Sequence, residues 1–385
     1  MKIDKLNVFN SQKEESNMKE KTMKTFFALA TVLLTSAFAI PKGPCDKVDT
    51  CCDEPAPGPF AFSYPKDLGL ACSNDFYVRG DFLYMRATQD GLEYVLDQDT
   101  TGSSFAFPLT GGKIKGFSRD STSWEWRPGF RVGIGFNSTK NDTWSLDAYW
   151  TYFRIKADST ALNNGSGVLL GLLWPPVANQ AIPMTYSNAR FEGTVNTLDI
   201  SMGKAYHVSR YFVSNPMFGI RGAWMEQDFY ARYFVNHRKS IVAHKNDFRG
   251  VGLRGSYMAQ FLFGSHFSIY GNAAMSLLFG KFDLSQSSDD NTGITWITGN
   301  DITYKVEDSY YSVKPNAELG IGITWGKMFD KDKYMVSLKV GYEFHHWFDQ
   351  NQLRRFYNAN PIATDTVSRG DLSFNGFVFG LNFDF

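Results

Sequence analysis

Few residues in this chain of 385 stand at spacings that ordinarily do chemistry. Gly250-Val-Gly252-Leu-Arg-Gly255 has the GxGxxG spacing that brings a phosphate close to the backbone at a helix N-terminus. Here it lies inside an alternating strand with no helix after it, so the nucleotide-binding context is missing, and its glycines suit strands that coil and pack closely. His345-His346 offers two imidazoles, but neighbours on a strand point to opposite faces and cannot chelate one metal. His207, His237, His244 and His266 are scattered, and the sequence brings no Ser, His and acid together as a nucleophilic triad. Neither an enzyme nor a cofactor is expected.

All four cysteines, Cys45, Cys51, Cys52 and Cys72, lie near the N-terminus. They contain no CxxC pair and the histidines are remote, which disfavours zinc. In an exported chain they are disulfide candidates, with three pairings open; adjacent Cys51–Cys52 is disfavoured by strain, and cross-links to a neighbouring molecule are a further option. Export itself is legible. In Met18–Ala39, Lys19, Lys21 and Lys24 precede the apolar run Phe26–Leu34, and Ala37-Phe38-Ala39 forms a small-x-small cleavage site. Residues 1–39 therefore read as a signal peptide, with translation starting at Met18 or Met23 as an alternative, and no lipobox precedes Cys45. Residues 40–74, with PAPGPF at 55–60, read as an extended Cys/Pro-rich periplasmic segment.

The charged residues that matter most are those on one face of the later segments. Arg79, Arg127, Arg131, Arg221, Arg254, Lys314 and Lys339 stand against Asp81, Glu125, Asp147, Asp199, Glu318, Glu343 and Asp384. Each alternates with apolar neighbours, as in Phe76, Val78, Phe82 and Tyr84 against Tyr77, Arg79 and Asp81. The same period of two recurs at 124–136, 144–152, 198–202, 218–224, 251–261, 267–279, 311–325, 334–344 and 377–385, which makes ten strands with the first. Several approach or pass the roughly 9–11 residues that cross a bilayer.

Composition supports this frame. Lys+Arg and Asp+Glu both number 39, so nothing marks a nucleic-acid binder, and removing residues 1–39 leaves 33 basic against 35 acidic residues, a net charge of −2. Mean hydropathy is −0.28 and aromatics reach 16%, without the long apolar runs of a helical membrane protein. Connections alternate between short (137–143, 203–209, 262–266, 326–333) and long (about 88–122, 155–189, 226–247, 283–309, 348–370). That is the layout of a closed antiparallel up-and-down transmembrane β-barrel with short periplasmic turns and long extracellular loops, spanning 75–385. Hairpins hidden in the long loops, with Gly91–Leu96 and Lys113–Phe117 as candidates, would raise the count to twelve to sixteen. Trp124, Trp126, Trp150 and Trp224 gather toward the long-loop ends, and Trp144, Trp325 and Phe385 toward the short-turn ends, as interfacial aromatics do. The apolar run Val168–Trp174 is expected to cap the barrel, fold into the lumen or pack on a neighbour. The alternating end with Phe385 last resembles the signal by which bacterial outer-membrane barrels are recognised by their assembly machinery.

The segments FYVRGDFLYMRA (76–87), NTLDISMGKAY (196–206), FGIRGAWMEQ (218–227), YGNAAMSLLFGKF (270–282), GYEFHHWF (341–348) and FGLNFDF (379–385) resemble, in order, the Legionella-type, chlamydia-like major outer membrane protein family of pore-forming barrels. The resemblance implies a porin-like, abundant outer-membrane protein and no catalytic residues. The expectation is a porin for passive diffusion of small hydrophilic solutes. The listed charges other than Glu125 and Asp384 are its pore-lining candidates, and seven charges against seven give weak ion selectivity. The alternative is a structural or adhesive barrel that presents surface loops, its charges pairing across a closed lumen. Partners on either reading are outer-membrane lipid, the assembly machinery and, as options, a homo-oligomer or disulfide-linked neighbours, with no nucleic acid.

Overall fold

In a computed structural model the described residues are 64–65, 76–99, 112–117, 123–138, 144–163, 167–173, 184–235, 238–264, 266–290, 303–331, 333–358 and 362–385. The expected signal peptide and all four cysteines lie outside them, as does all of the 40–74 segment but Tyr64 and Pro65. Ten long strands form the barrel: β1 (Phe76–Gln89), β2 (Trp126–Ser138), β3 (Trp144–Leu162), β4 (Tyr186–Lys204), β5 (Phe212–Val235), β6 (Arg238–Phe263), β7 (Phe267–Asp290), β8 (Thr303–Phe329), β9 (Tyr334–Asn358) and β10 (Ile362–Asp384). Each pairs antiparallel with its neighbours in the chain, and β10 pairs with β1 from Leu372↔Gln89 to Asp384↔Tyr77, so the sheet closes. Closure leaves no edge strand, the condition for a sheet in lipid. The last residue takes part: Phe385 donates its N–H to the Phe76 carbonyl and accepts the Phe76 N–H, at 2.9 and 3.2 Å.

Strands of 24 to 27 residues are far longer than a bilayer requires. The sequence shows why once polarity is followed along a strand. In β5, Phe218, Ile220 and Trp224 face outward and are exposed, while Arg221 points in. Past Trp224 the apolar positions change parity: Met225, Phe229, Ala231 and Tyr233 are buried inside, and Glu226 and Asp228 lie on the outward parity. In β6, Val251, Leu253, Tyr257 and Phe261 form the outer belt, and Phe248 and Val242 are buried inside. In β7 the switch falls between Phe279, outside, and Phe282, inside. The lower half of the barrel is thus built for lipid outside, and the upper half for water outside and a dry core within. Beyond Val251, β6 continues for thirteen residues to Arg238, a wall standing roughly 30 Å above the belt at the ~3.4 Å rise and ~40° tilt of such strands. Much of what period-two reading leaves as long loops at 226–247 and 283–309 is therefore strand. The alternation never stops; its polarity inverts where lipid gives way to water.

The candidate loop hairpins do not enlarge the barrel. Segments Glu93–Asp99, Gly112–Gly116 and Gly167–Gly171 pair as a separate three-stranded sheet. It fills the long-loop mouth. Leu92, Tyr94, Val95, Phe117, Leu169 and Leu173 are buried in one cluster with barrel residues such as Phe229 and Tyr233. Polar fastenings tie it to the wall: Tyr233 Oη donates to the Tyr94 carbonyl (2.9 Å), Asn351 Nδ2 to the Asp90 carbonyl (2.7 Å), and Arg355 Nη2 pairs with Glu93 (2.8 Å). The 168–173 part of the apolar run thus lies in a cap. At the opposite end Tyr64–Pro65 pairs with the segment Tyr206–Ser209 beside the β4–β5 turn.

Trp124 corrects the expectation of an outer-belt residue. It bridges to Ala157, is buried inside against Phe117 and Phe191, and donates its indole N–H to the Phe117 carbonyl at 2.9 Å. Glu125 and Trp126 that follow are both exposed, so the alternation breaks there and β2 begins in register only at Trp126.

Candidate functional site: an ion-paired, capped lumen

Most of the charges expected in the lumen meet in two linked groups, built from seven strands. Each stands on a strand whose neighbouring residues face lipid, so the pleat leaves it nowhere to point but inward. In the first group Arg79 Nε pairs with Asp81 at 2.8 Å, and Arg131 bridges Asp81 (3.2 Å) to Glu343 (2.7 Å). Lys339 adds a contact to Glu343 at 3.2 Å and lies over the Tyr270 ring. In the second, Arg221 grips Asp199 with Nε and Nη2 at 2.5 and 2.6 Å, and its Nη1 pairs with Glu318 and donates to Asn316 at 2.6 Å. Arg254 pairs with Glu318 at 2.8 Å. His345 joins the groups, 3.3 Å from Glu318 and 3.3 Å from Glu343. Arg221, Asp199, Glu318 and Glu343 are each less than a tenth exposed. Asp147 accepts the Tyr77 hydroxyl, which also contacts Tyr149.

Four expected lumen charges, Lys314, Asp384, Arg127 and Glu125, stand apart. Lys314 faces inward but higher, donating to the Asp349 carbonyl at 2.6 Å over the Phe282 ring. Asp384 is buried at the short-turn end and accepts from Asn382 at 2.7 Å. Arg127 does not join the network: it pairs with Glu125 at 2.8 Å, and Glu125 in turn pairs with the outward Lys156 at 3.0 Å. The break in alternation before Trp126 puts Glu125 outward, whereas Arg127 keeps the inward parity, opposite the buried Met85.

A cavity of about 500 Å³ runs from the short-turn rim, where Gly264, His266 and Gly326 line it, alongside the charge layer to Met85, Phe153 and Trp347. The cavity ends against an apolar layer. Leu83, Met85, Phe153, Val195, Trp347 and Phe374 form it, and Trp347, Phe153 and Met85 are almost wholly buried. Higher still, amides of Gln89, Gln227 and Asn246 bond in a row at 3.0 and 2.8 Å, and the three-stranded sheet closes the mouth. Period two marks the outer apolar belt and most of the inward charges, with Trp124 and Glu125 as exceptions. The apolar crossing layer was not anticipated, although Leu83, Met85 and Phe374 carry its signal: apolar residues on the inward parity.

A closed ten-stranded meander with an apolar outer belt and a polar lower lumen is a bacterial outer-membrane β-barrel. The family model described as Legionella pneumophila major outer membrane protein precursor matches residues 71–385, and the chain belongs to that family. No curated protein matched the chain. Among solved structures it is similar to the outer membrane protease OmpT of Escherichia coli (11% identity, 81% of this chain and 97% of that one, TM-score 0.37). It is also similar to Ail, the attachment invasion locus protein of Yersinia pestis (8% identity, 81% and 99%, TM-score 0.23). A FadL homologue of Pseudomonas aeruginosa is a third (8% identity, 86% and 96%, TM-score 0.22). Likenesses at this level carry no argument about activity.

Proposed function

We propose that this protein is a structural, surface-presenting outer-membrane barrel whose resting lumen is closed. The observation that carries the reading is the stacking of a compensated charge layer beneath a continuous apolar layer and a fastened cap. A solute path would have to pass Arg221 and its two carboxylates, which line the cavity, and then displace Trp347 and Phe374 at its end. With ten strands, just above the ~8 whose interior side chains fill, there is little width to spare. The wall above the belt then lifts the loop sheet and its flanking loops clear of the lipid. The test is planar-bilayer recording of the chain refolded without residues 1–39. Silence from folded, inserted protein is expected, and discrete, reproducible conductance steps would overturn the reading.

The second reading is the passive diffusion porin that the family resemblance implies. It is favoured by the 500 Å³ cavity that opens at the short-turn end, a ready vestibule. It requires the cap and the apolar layer to move together, so its conductance would depend on Arg355 and Asn351, which fasten the cap.

A further inference from the structure

Outside the lumen, on the lipid-side face of β9 and β10, the register sets His346 directly opposite Ser373. Leu372 and Phe374 are buried inside, so Ser373 faces out, and both it and His346 are partly exposed. His346 Nδ1 lies 2.7 Å from Ser373 Oγ, and the other ring nitrogen, Nε2, lies 3.4 Å from Asp371 Oδ2. Asp371 is itself held. The β9–β10 pairing shifts between Trp347 and Asn351, and Asp349 in this bulge has φ 51°, an uncommon backbone for a non-glycine residue. Its N–H donates to Asp371 Oδ1 at 2.8 Å, which leaves Oδ2 for the imidazole. Phe344 stacks on the His346 ring and Phe348 meets it edge-on, their centroids 6.0 and 4.3 Å away. Nucleophile, base and orienting acid are thus in contact, and a strained bulge sets the acid.

The position defines the substrate. Phe377 and Tyr342, below the site, belong to the exposed outer belt. Ser373 and Asn375 pair in register with Thr88 and Arg86 of β1, and Arg86 lies 5.6 Å over the Trp126 ring. A serine nucleophile at the upper edge of the apolar belt, with an arginine two residues below its neighbour, meets lipid where acyl esters adjoin an anionic headgroup. We propose that Ser373, His346 and Asp371 hydrolyse acyl esters of glycerophospholipids in the outer leaflet, with Arg86 holding the phosphate. Ser373 Oγ attacks the ester carbonyl as His346 Nδ1 takes its proton. The carbon–oxygen bond to the glycerol breaks, and His346 returns the proton to the leaving alkoxide. Water, deprotonated by His346, then attacks the acyl-serine, releasing the fatty acid and restoring the hydroxyl. Asp371 orients the ring and balances the imidazolium. The inference is independent of whether the lumen conducts.

The experiment uses the refolded chain in vesicles of phosphatidylethanolamine and phosphatidylglycerol, with fatty-acid release followed by titration and a fluorophosphonate probe mapped by mass spectrometry. Release is expected, with the probe on Ser373. Ser373→Ala should lower release by about a hundredfold or more while leaving the urea midpoint unchanged. Asp371→Asn should lower kcat, and Arg86→Gln should raise KM with little change in kcat. No release and no adduct from folded barrel, equal release from Ser373→Ala, or an adduct on another residue would each overturn the proposal.

Discussion

Arg221→Met separates a dry, closed lumen from a water-filled one. Arg221 meets Asp199 at 2.5 and 2.6 Å and also pairs with Glu318, with every partner less than a tenth exposed. When it is removed, Glu318 keeps Arg254 at 2.8 Å and His345 at 3.3 Å, but Asp199 is left with Arg254 at 3.9 Å. Asp199 is therefore the group left uncompensated. Breaking a buried pair in this way costs about 3–5 kcal/mol. The same pair in a water-filled channel, at bulk dielectric, is worth only about 1 kcal/mol. Urea unfolding in lipid vesicles, followed by tryptophan fluorescence, measures the difference directly. Arg221→Met/Asp199→Asn should recover half of the loss or more, because the orphaned charge goes with its partner. A single-variant cost below about 1 kcal/mol, or no recovery in the double variant, would refute the closed-lumen argument.

Other perturbations address other layers. Trp347→Ala removes the largest side chain of the apolar layer and should cost about 3–5 kcal/mol in the same urea assay. At Gly252 an added Cβ would stand 1.9 Å from the Leu277 carbonyl oxygen, whereas at Gly255 it meets nothing within 4 Å. Gly252→Ala should therefore destabilise the barrel by about 1–3 kcal/mol and Gly255→Ala by less than about 0.5, a contrast read from their unfolding midpoints. Deleting Phe385 removes both backbone bonds to Phe76 and should slow membrane insertion, measured as the fraction of heat-modifiable barrel against time after export.

Strand number, order and the face of most lumen charges can be read from period-two alternation because lipid enforces it strictly. Met275 and Leu277 must face out, and Ser276 between them must face in. Reading stopped where lipid stops. Above the belt the same strand buries Phe282 and exposes Lys281 and Asp283, and a reader tracking apolar residues on one parity sees a loop. Glu125 turns outward because of one break in alternation, just before Trp126, that cannot be seen in residue types. The two histidines show both sides of the limit. That His345 and His346 face opposite ways follows from the pleat alone. That His346 meets Ser373 and Asp371 depends on the β9–β10 register and on a bulge at Asp349, which pairs residues some 25 positions apart and leaves no local trace.

The inversion of polarity along β5, β6 and β7 has a consequence for how the surface changes over time. Below the inversion the outer face answers to lipid, and any exchange there must stay apolar. Above it, the outer positions of β4 to β8 carry small ion pairs such as Arg190–Glu192, Lys281–Asp283 and Lys305–Glu307, each contributing little to stability. The buried inner face alone holds that part of the wall upright. Its outside is thus free to be rewritten, charge by charge, under pressure from antibodies or phage, without the barrel losing its height.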